Sequence, residues 1–205
     1  MKKFVVYFIK MLKMIARVFR SQAKKPDLTN KMSLLENIKS TFGDQKGQVD
    51  FLINNVFDYE KKGLAKSGFF VDLGCADGIT INNTYFLERY LGWNGILFEP
   101  NPAYKNNIQK FRKAKLITDC VSDRVGDKVS FRIDNGMLGG IVSKETDNNE
   151  LVRGDQLKTA KIIKINTTTL EDELDKINAP KLIDFLSLDI EGAEWMAMRS
   201  FSFAK

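Results

Sequence analysis

The residues of this 205-residue chain that could do chemistry are carboxylates, and they stand at the ends of short apolar runs. Asp72 interrupts Phe69-Phe70-Val71-Asp72-Leu73, and Asp77 follows in the turn Gly74-Cys75-Ala76-Asp77-Gly78. Glu99 closes Gly95-Ile96-Leu97-Phe98, while Asp119 and Ser122 close the run 114–121. Asp189 and Glu191 close 183–190, with Glu194 three residues on. There is no histidine and there are only two cysteines, Cys75 and Cys120. That composition argues against a zinc site of the usual Cys/His kind and excludes any Ser-His or Cys-His nucleophile. A general base must come from Asp, Glu, Lys or Tyr. Asp189 and Glu191 are the catalytic candidates: with Glu194 they could deprotonate a hydroxyl, or hold a divalent cation that lowers its pKa. The plainer alternative is that Glu191 and Glu194 serve the N-terminus of the helix that follows.

The elements that must position these acids can be read from the pattern around them. Residues 69–73 are apolar and β-favouring apart from Asp72, and a helix is expected over 82–91, with Ile81 just before it and Tyr85, Leu87 and Leu91 within it giving an apolar face at helical spacing. A strand, a glycine turn and a helix make a nucleotide-sized site. A dinucleotide fold wants Gly-x-Gly-x-x-Gly, whereas here Asp72 and Asp77 stand where a pyrophosphate would lie, and they would repel it. A ligand with a cationic head and no phosphate suits them better, and S-adenosylmethionine is such a ligand. On this reading Glu99, at the end of the second strand, accepts hydrogen bonds from the ribose hydroxyls, and Asp72 contacts the amino-acid portion or else caps the turn. Gly74 and Gly78 let the backbone approach the ligand, and Asp77 faces the ligand or caps the following turn. Asp119 and Ser122 are weaker candidates, for the adenine side. Cys75 and Cys120 read as small apolar fillers.

Taken together, Phe70-Val-Asp-Leu-Gly-Cys-Ala-Asp-Gly78, Asn83-Thr-Tyr-Phe-Leu-Glu88, Leu91-Gly-Trp-Asn-Gly95, Phe98-Glu-Pro-Asn-Pro102, Cys120-Val-Ser-Asp123, Gly136-Met-Leu-Gly-Gly-Ile141 and Leu186-Ser-Leu-Asp-Ile-Glu-Gly-Ala-Glu194 resemble the FkbM-type methyltransferases. The motifs run in that family's order from about Gly47 to Phe201. The resemblance implies a class I, Rossmann-like α/β fold with a doubly wound, mostly parallel sheet. It also implies S-adenosylmethionine as cofactor, and O-methylation of a hydroxyl on a sugar, another small molecule or a glycoconjugate. Such a fold carries about seven core strands. The chain is expected to supply four core strands, a hairpin and an extra strand, truncated after the fourth core strand or completed by a partner. A competing expectation is a non-catalytic membrane-surface or scaffold protein built on that truncated fold. A nicotinamide-dependent oxidoreductase is a third, and the acidic turn without Gly-x-Gly argues against it.

Along the chain, three parts are expected: a basic amphipathic helix over 1–25, a linker with a short helix over 26–46, and the methyltransferase-like domain over 47–205. The net charge of +6 belongs to the first part. It holds Lys2, Lys3, Lys10, Lys13, Arg17, Arg20, Lys24 and Lys25 and no acid, and without it bases are outnumbered by acids. The domain therefore offers no basic face to a nucleic acid. The longest apolar run in 1–25 is too short to span a bilayer, so the segment is read as lying on an anionic membrane surface or packing on protein. Two cysteines make no disulfide framework, which fits a cytoplasmic protein, at most peripheral on the membrane. Within the domain the patterning predicts a helix over 49–59, a helix opening at Asn101-Pro102, one strand over 114–121 and an edge strand over 129–133. It further predicts a mobile glycine-rich loop over 135–141, with 136–141 either a flap over the substrate or a plain hairpin loop, an exposed stretch over 147–158, a strand over 161–166 and helices opening near 170 and 194.

Overall fold

The computed structural model describes residues 48–51 and 67–203. The basic segment 1–25 and the linker 26–46 lie outside the described residues, as does most of the helix expected over 49–59. The chain divides into two compact units, Met1–Leu64 and Ala65–Lys205. Of the first, one helical turn is described, α1 (Gln48–Phe51).

The second unit is a mixed α/β fold organised around β1 (Phe69–Leu73), of which all but the first residue is buried. A strand so enclosed needs apolar side chains on both faces, which is why it reads as a continuous run. Helix α2 (Tyr85–Leu91) leads from β1 to β2 (Asn94–Phe98), and α3 (Pro102–Phe111) leads from β2 to β3 (Lys115–Ile117). The left-handed Gly92 ends α2, and its N–H reaches Leu87 O. Asn101 caps α3 through Ala103 N, with Pro102 in the first turn as the sequence predicts. Far along the chain, β8 (Phe185–Leu188) pairs with the other side of β1. The result is a four-stranded parallel sheet of order β3-β2-β1-β8.

A second sheet has the order β4-β7-β5-β6, from β4 (Cys120–Val121), β5 (Lys128–Arg132), β6 (Gly140–Ile141) and β7 (Ile162–Thr168). Between β6 and β7 lies the single-turn helix α4 (Glu150–Arg153). After β7 come α5 (Leu170–Lys176), capped by the Thr169 side chain on Asp172 N, and, beyond β8, α6 (Glu194–Met198). Val71, Leu73, Ile96 and Phe98 from the parallel sheet pack with Val121, Leu170, Leu174 and Ala197 into the main core. Cys120, Phe131, Ile141 and Ala193 form a second core beneath the second sheet.

Several local expectations change. The run 114–121 is two strands in two sheets: Ile117 O accepts from Glu99 N, whereas Ser122 N donates to Thr168 O, so the chain leaves one sheet for the other at 118–119. Strand β5 is interior rather than an edge, because β7 and β6 flank it on both sides. The expected flap is a 3₁₀ turn, Gly136–Leu138, followed by the paired β6. Helix α2 begins at Tyr85 rather than at residue 82, and Ile81 is exposed with φ +56° instead of lying on its apolar face. The stretch 147–158 is not uniformly exposed, since Asn148 is fully buried. Among the described residues no helix is long and apolar enough to cross a membrane.

Candidate functional site

The parallel register sets the site. Leu73 is level with both Phe98 and Leu188, and Phe98 is level with Ile117, so the carboxyl ends of four strands finish at one edge. From β1 the chain winds outward through β2 and β3 on one side, and it later returns to β8 on the other. The crevice beyond β1 is therefore where a ligand fits an open α/β sheet. Gly74 ties these ends together. Its N–H donates to Phe98 O at 2.9 Å, and Asp189 N donates to Leu73 O at 3.2 Å. With φ +83°, Gly74 would place a Cβ 2.0 Å from the Asp189 carbonyl oxygen, so only glycine lets the β1 and β8 ends approach this closely.

Beyond these ends opens a cleft. Gly74, Asp189, Ile190 and Ala193 form its base, and Glu99, Pro100, Asn101 and Tyr104 one wall. Cys120, Val121, Phe131 and Ile141 form the opposite, apolar wall, and Gly136, Met137 and Gly139 the lip. The acids among these lining residues are Glu99 and Asp189, and among the described residues no lysine or arginine lines it. A larger groove runs beside α5 and β8, but it is lined mainly by apolar side chains such as Leu174, Leu182, Leu186 and Phe203 and by none of the candidate residues.

Glu99 is buried in the wall. Its Oε2 accepts from Ala76 N and its Oε1 from Asn101 N, both at 2.8 Å. Burial pushes its pKa up to about 7 against those two bonds, and the Asp72 and Asp77 charges push the same way. Each carboxylate oxygen keeps a further lone pair for a hydroxyl donor.

The other sequence candidates divide. Gly74 and Asp189 join Glu99 on the cleft, with the Asp189 side chain exposed at the strand end. Asp77 holds its own turn: Oδ1 accepts from Ile79 N and Thr80 N, and Oδ2 from Thr80 Oγ1. Asp72 is buried away from the cleft, and its Oδ2 accepts from Asn82 Nδ2 at 2.9 Å and Thr84 Oγ1 at 2.6 Å. Burial raises its pKa against the hydrogen bond from Thr84 and the charge of Arg112. Gly78 packs on α3, where a Cβ would meet Ile108 at 3.1 Å. Ser122 is buried and Asp119 half-buried, and it is their neighbours Cys120 and Val121 that line the wall. Ser122 Oγ donates to Asp123 Oδ1.

Glu191 stands beside the cleft rather than on it. Its Oε2 accepts from Arg153 Nη2 at 2.8 Å, and burial raises its pKa while Arg153 opposes the rise. Glu194 takes the plainer of the two roles weighed for it: its Oε1 accepts from Ile190 N and Gly192 N, closing the turn that opens α6. Among the described residues no three His, Cys, Asp or Glu side chains gather to hold a metal. Both cysteines are free and buried, and burial pushes both thiols up.

Several lining residues were not singled out from the sequence. Tyr104 could be found only as one apolar-face position of α3. Phe131 arrives from the second sheet and lies in no motif, whereas Ile141 closes the glycine-rich motif over 136–141. A family model described as the methyltransferase FkbM domain matches residues 72–205, from the acid of β1 through all of the cleft. No curated protein and no solved structure matches the chain.

Proposed function

Because the chain belongs to the FkbM methyltransferase domain family, we propose that it binds S-adenosylmethionine at the strand-end cleft and methylates a hydroxyl. The acceptor is a sugar, another small molecule or a glycoconjugate. The parallel sheet is then the Rossmann-like core of a class I methyltransferase, and the order β3-β2-β1-β8 supports that reading. The observation that carries the proposal is the charge and geometry of the cleft. Among the described residues its lining holds two carboxylates and no cation, which suits a sulfonium and an ammonium and disfavours a phosphate. Glu99 stands at the end of β2 with lone pairs free for a ribose diol. The apolar wall of Val121, Phe131 and Ile141 offers a face to adenine.

S-adenosylmethionine, when bound, supplies an already activated methyl group. The chain's residues then have to hold the acceptor oxygen in line and take its proton. Asp189 lies where β8 meets β1 and is the base of this proposal, with Glu191, ion-paired to Arg153, beside it. Incubation with methyl-labelled S-adenosylmethionine and a panel of hydroxyl-bearing sugars and glycoconjugates tests the assignment. An O-methyl product that is lost in Asp189→Asn is expected. Label on nitrogen or carbon, or an undiminished product in that variant, overturns it.

A further inference from the structure

Arg112 lies outside the cleft and beyond every motif of the sequence, at the C-terminal cap of α3. Its side chain is completely buried. One bond goes to a charge: Nε donates to Glu88 Oε2 at 2.9 Å. The others all land on the segment that follows the glycine turn. Nη1 donates to Gly78 O at 2.8 Å and Asn82 Oδ1 at 3.1 Å, and Nη2 donates to Thr84 Oγ1 at 2.9 Å. The rings of Phe70 and Tyr85 flank the guanidinium at 5.5 and 5.6 Å.

From there the bonds run inward. Thr84 Oγ1 accepts from Arg112 and donates to Asp72 Oδ2. Asn82 Nδ2 reaches Asp72 Oδ2 and, at 3.3 Å, Cys75 O. The next residue, Ala76, gives its N–H to Glu99. Residues 74–84 contain no helix or strand. Two of their non-glycine residues hold positive φ, Ala76 at +49° and Ile81 at +56°. A backbone strained in this way persists only where its surroundings over-determine it.

Resting on the reading of the cleft as a cofactor site, we propose that Arg112 is a positioning residue: through Gly78, Asn82 and Thr84 it holds the strained turn so that Ala76 fixes the Glu99 carboxylate toward the ligand. A planar fork with several donors in fixed directions is needed for this, and lysine cannot supply it.

Arg112→Lys keeps the charge and the stem and removes the fork. Titration with S-adenosylhomocysteine, alongside thermal unfolding of the free protein, is the test. The expected result is a folded variant whose Kd is raised on the order of 10-fold. The effect is also expected to be non-additive: in Arg112→Lys/Glu99→Gln the loss should match that of Glu99→Gln alone within about twofold. A lower unfolding temperature with an unchanged Kd, or full additivity with Glu99→Gln, would show a merely structural role and overturn the proposal. If Arg112→Lys does not fold, Thr84→Val deletes the hydroxyl relay at constant volume, and the same outcomes decide. Failure of the unaltered chain to bind would instead overturn the cofactor reading itself.

Discussion

Glu99 carries the clearest electrostatic signature among the cleft residues. Its pKa of about 7 in the folded chain lies above the ordinary 4.5. Between those two values the native state keeps a proton that the unfolded chain has already lost. Stability therefore falls as pH rises through that window, by about 3 kcal/mol if the whole shift is expressed. Ligand binding has the opposite sense. On the proposed reading ribose hydroxyls donate to the ionised carboxylate and favour it, so affinity for S-adenosylhomocysteine should fall as pH is lowered through about 7. Calorimetric titrations on either side of that pH should show the loss in the native chain and a flat profile in Glu99→Gln. A flat profile in the native chain would remove Glu99 from the ligand. That Glu99 follows the end of an apolar strand was legible in Phe98-Glu-Pro-Asn-Pro. The Ala76 N–H that grips it was not, because Ala76 lies 23 residues away in the turn after β1.

At the scale of elements, the turn after β1 shows what spacing reveals and what it hides. The sequence marks a glycine turn and suggests close approach to a ligand. The structure gives Gly74 a tighter partner, the Asp189 carbonyl. Gly74→Ala should therefore cost about 3 kcal/mol or more in urea unfolding, since a left-handed backbone and a backbone collision act together. Gly136 also has positive φ, but a Cβ there meets nothing within 4 Å, so Gly136→Ala should cost only about 1 kcal/mol. Equal costs would mean that the β1–β8 contact is not tight. The split of 114–121 into β3 and β4 could not be read from the sequence, because each half is plausibly a strand and only the partners, β2 and β7, separate them. Strand β5 misled for a related reason: its alternation reports one apolar face, and that is equally true of an edge strand and an interior strand of a sheet with one solvated side.

At the largest scale, the proposed function follows from where the two sheets of the second unit end. The parallel sheet brings Gly74, Glu99 and Asp189 to one edge through register alone, and its strands were legible as apolar runs closed by acids. The second sheet supplies the apolar wall, and its placement over the crevice depends on long-range packing of Cys120, Phe131, Ile141 and Ala193 that no local pattern encodes. The polar spine from Arg112 to Asp72 was hidden for the same reason, since its members are scattered over 72–112. The measurement that bears most directly on this account is calorimetric titration of S-adenosylhomocysteine into the intact chain and into Glu99→Ala. The account predicts binding with a Kd of order ~1 μM, about −8 kcal/mol, and a loss of at least ~10-fold in the variant. No binding by the folded chain, or equal binding by both proteins, would contradict it.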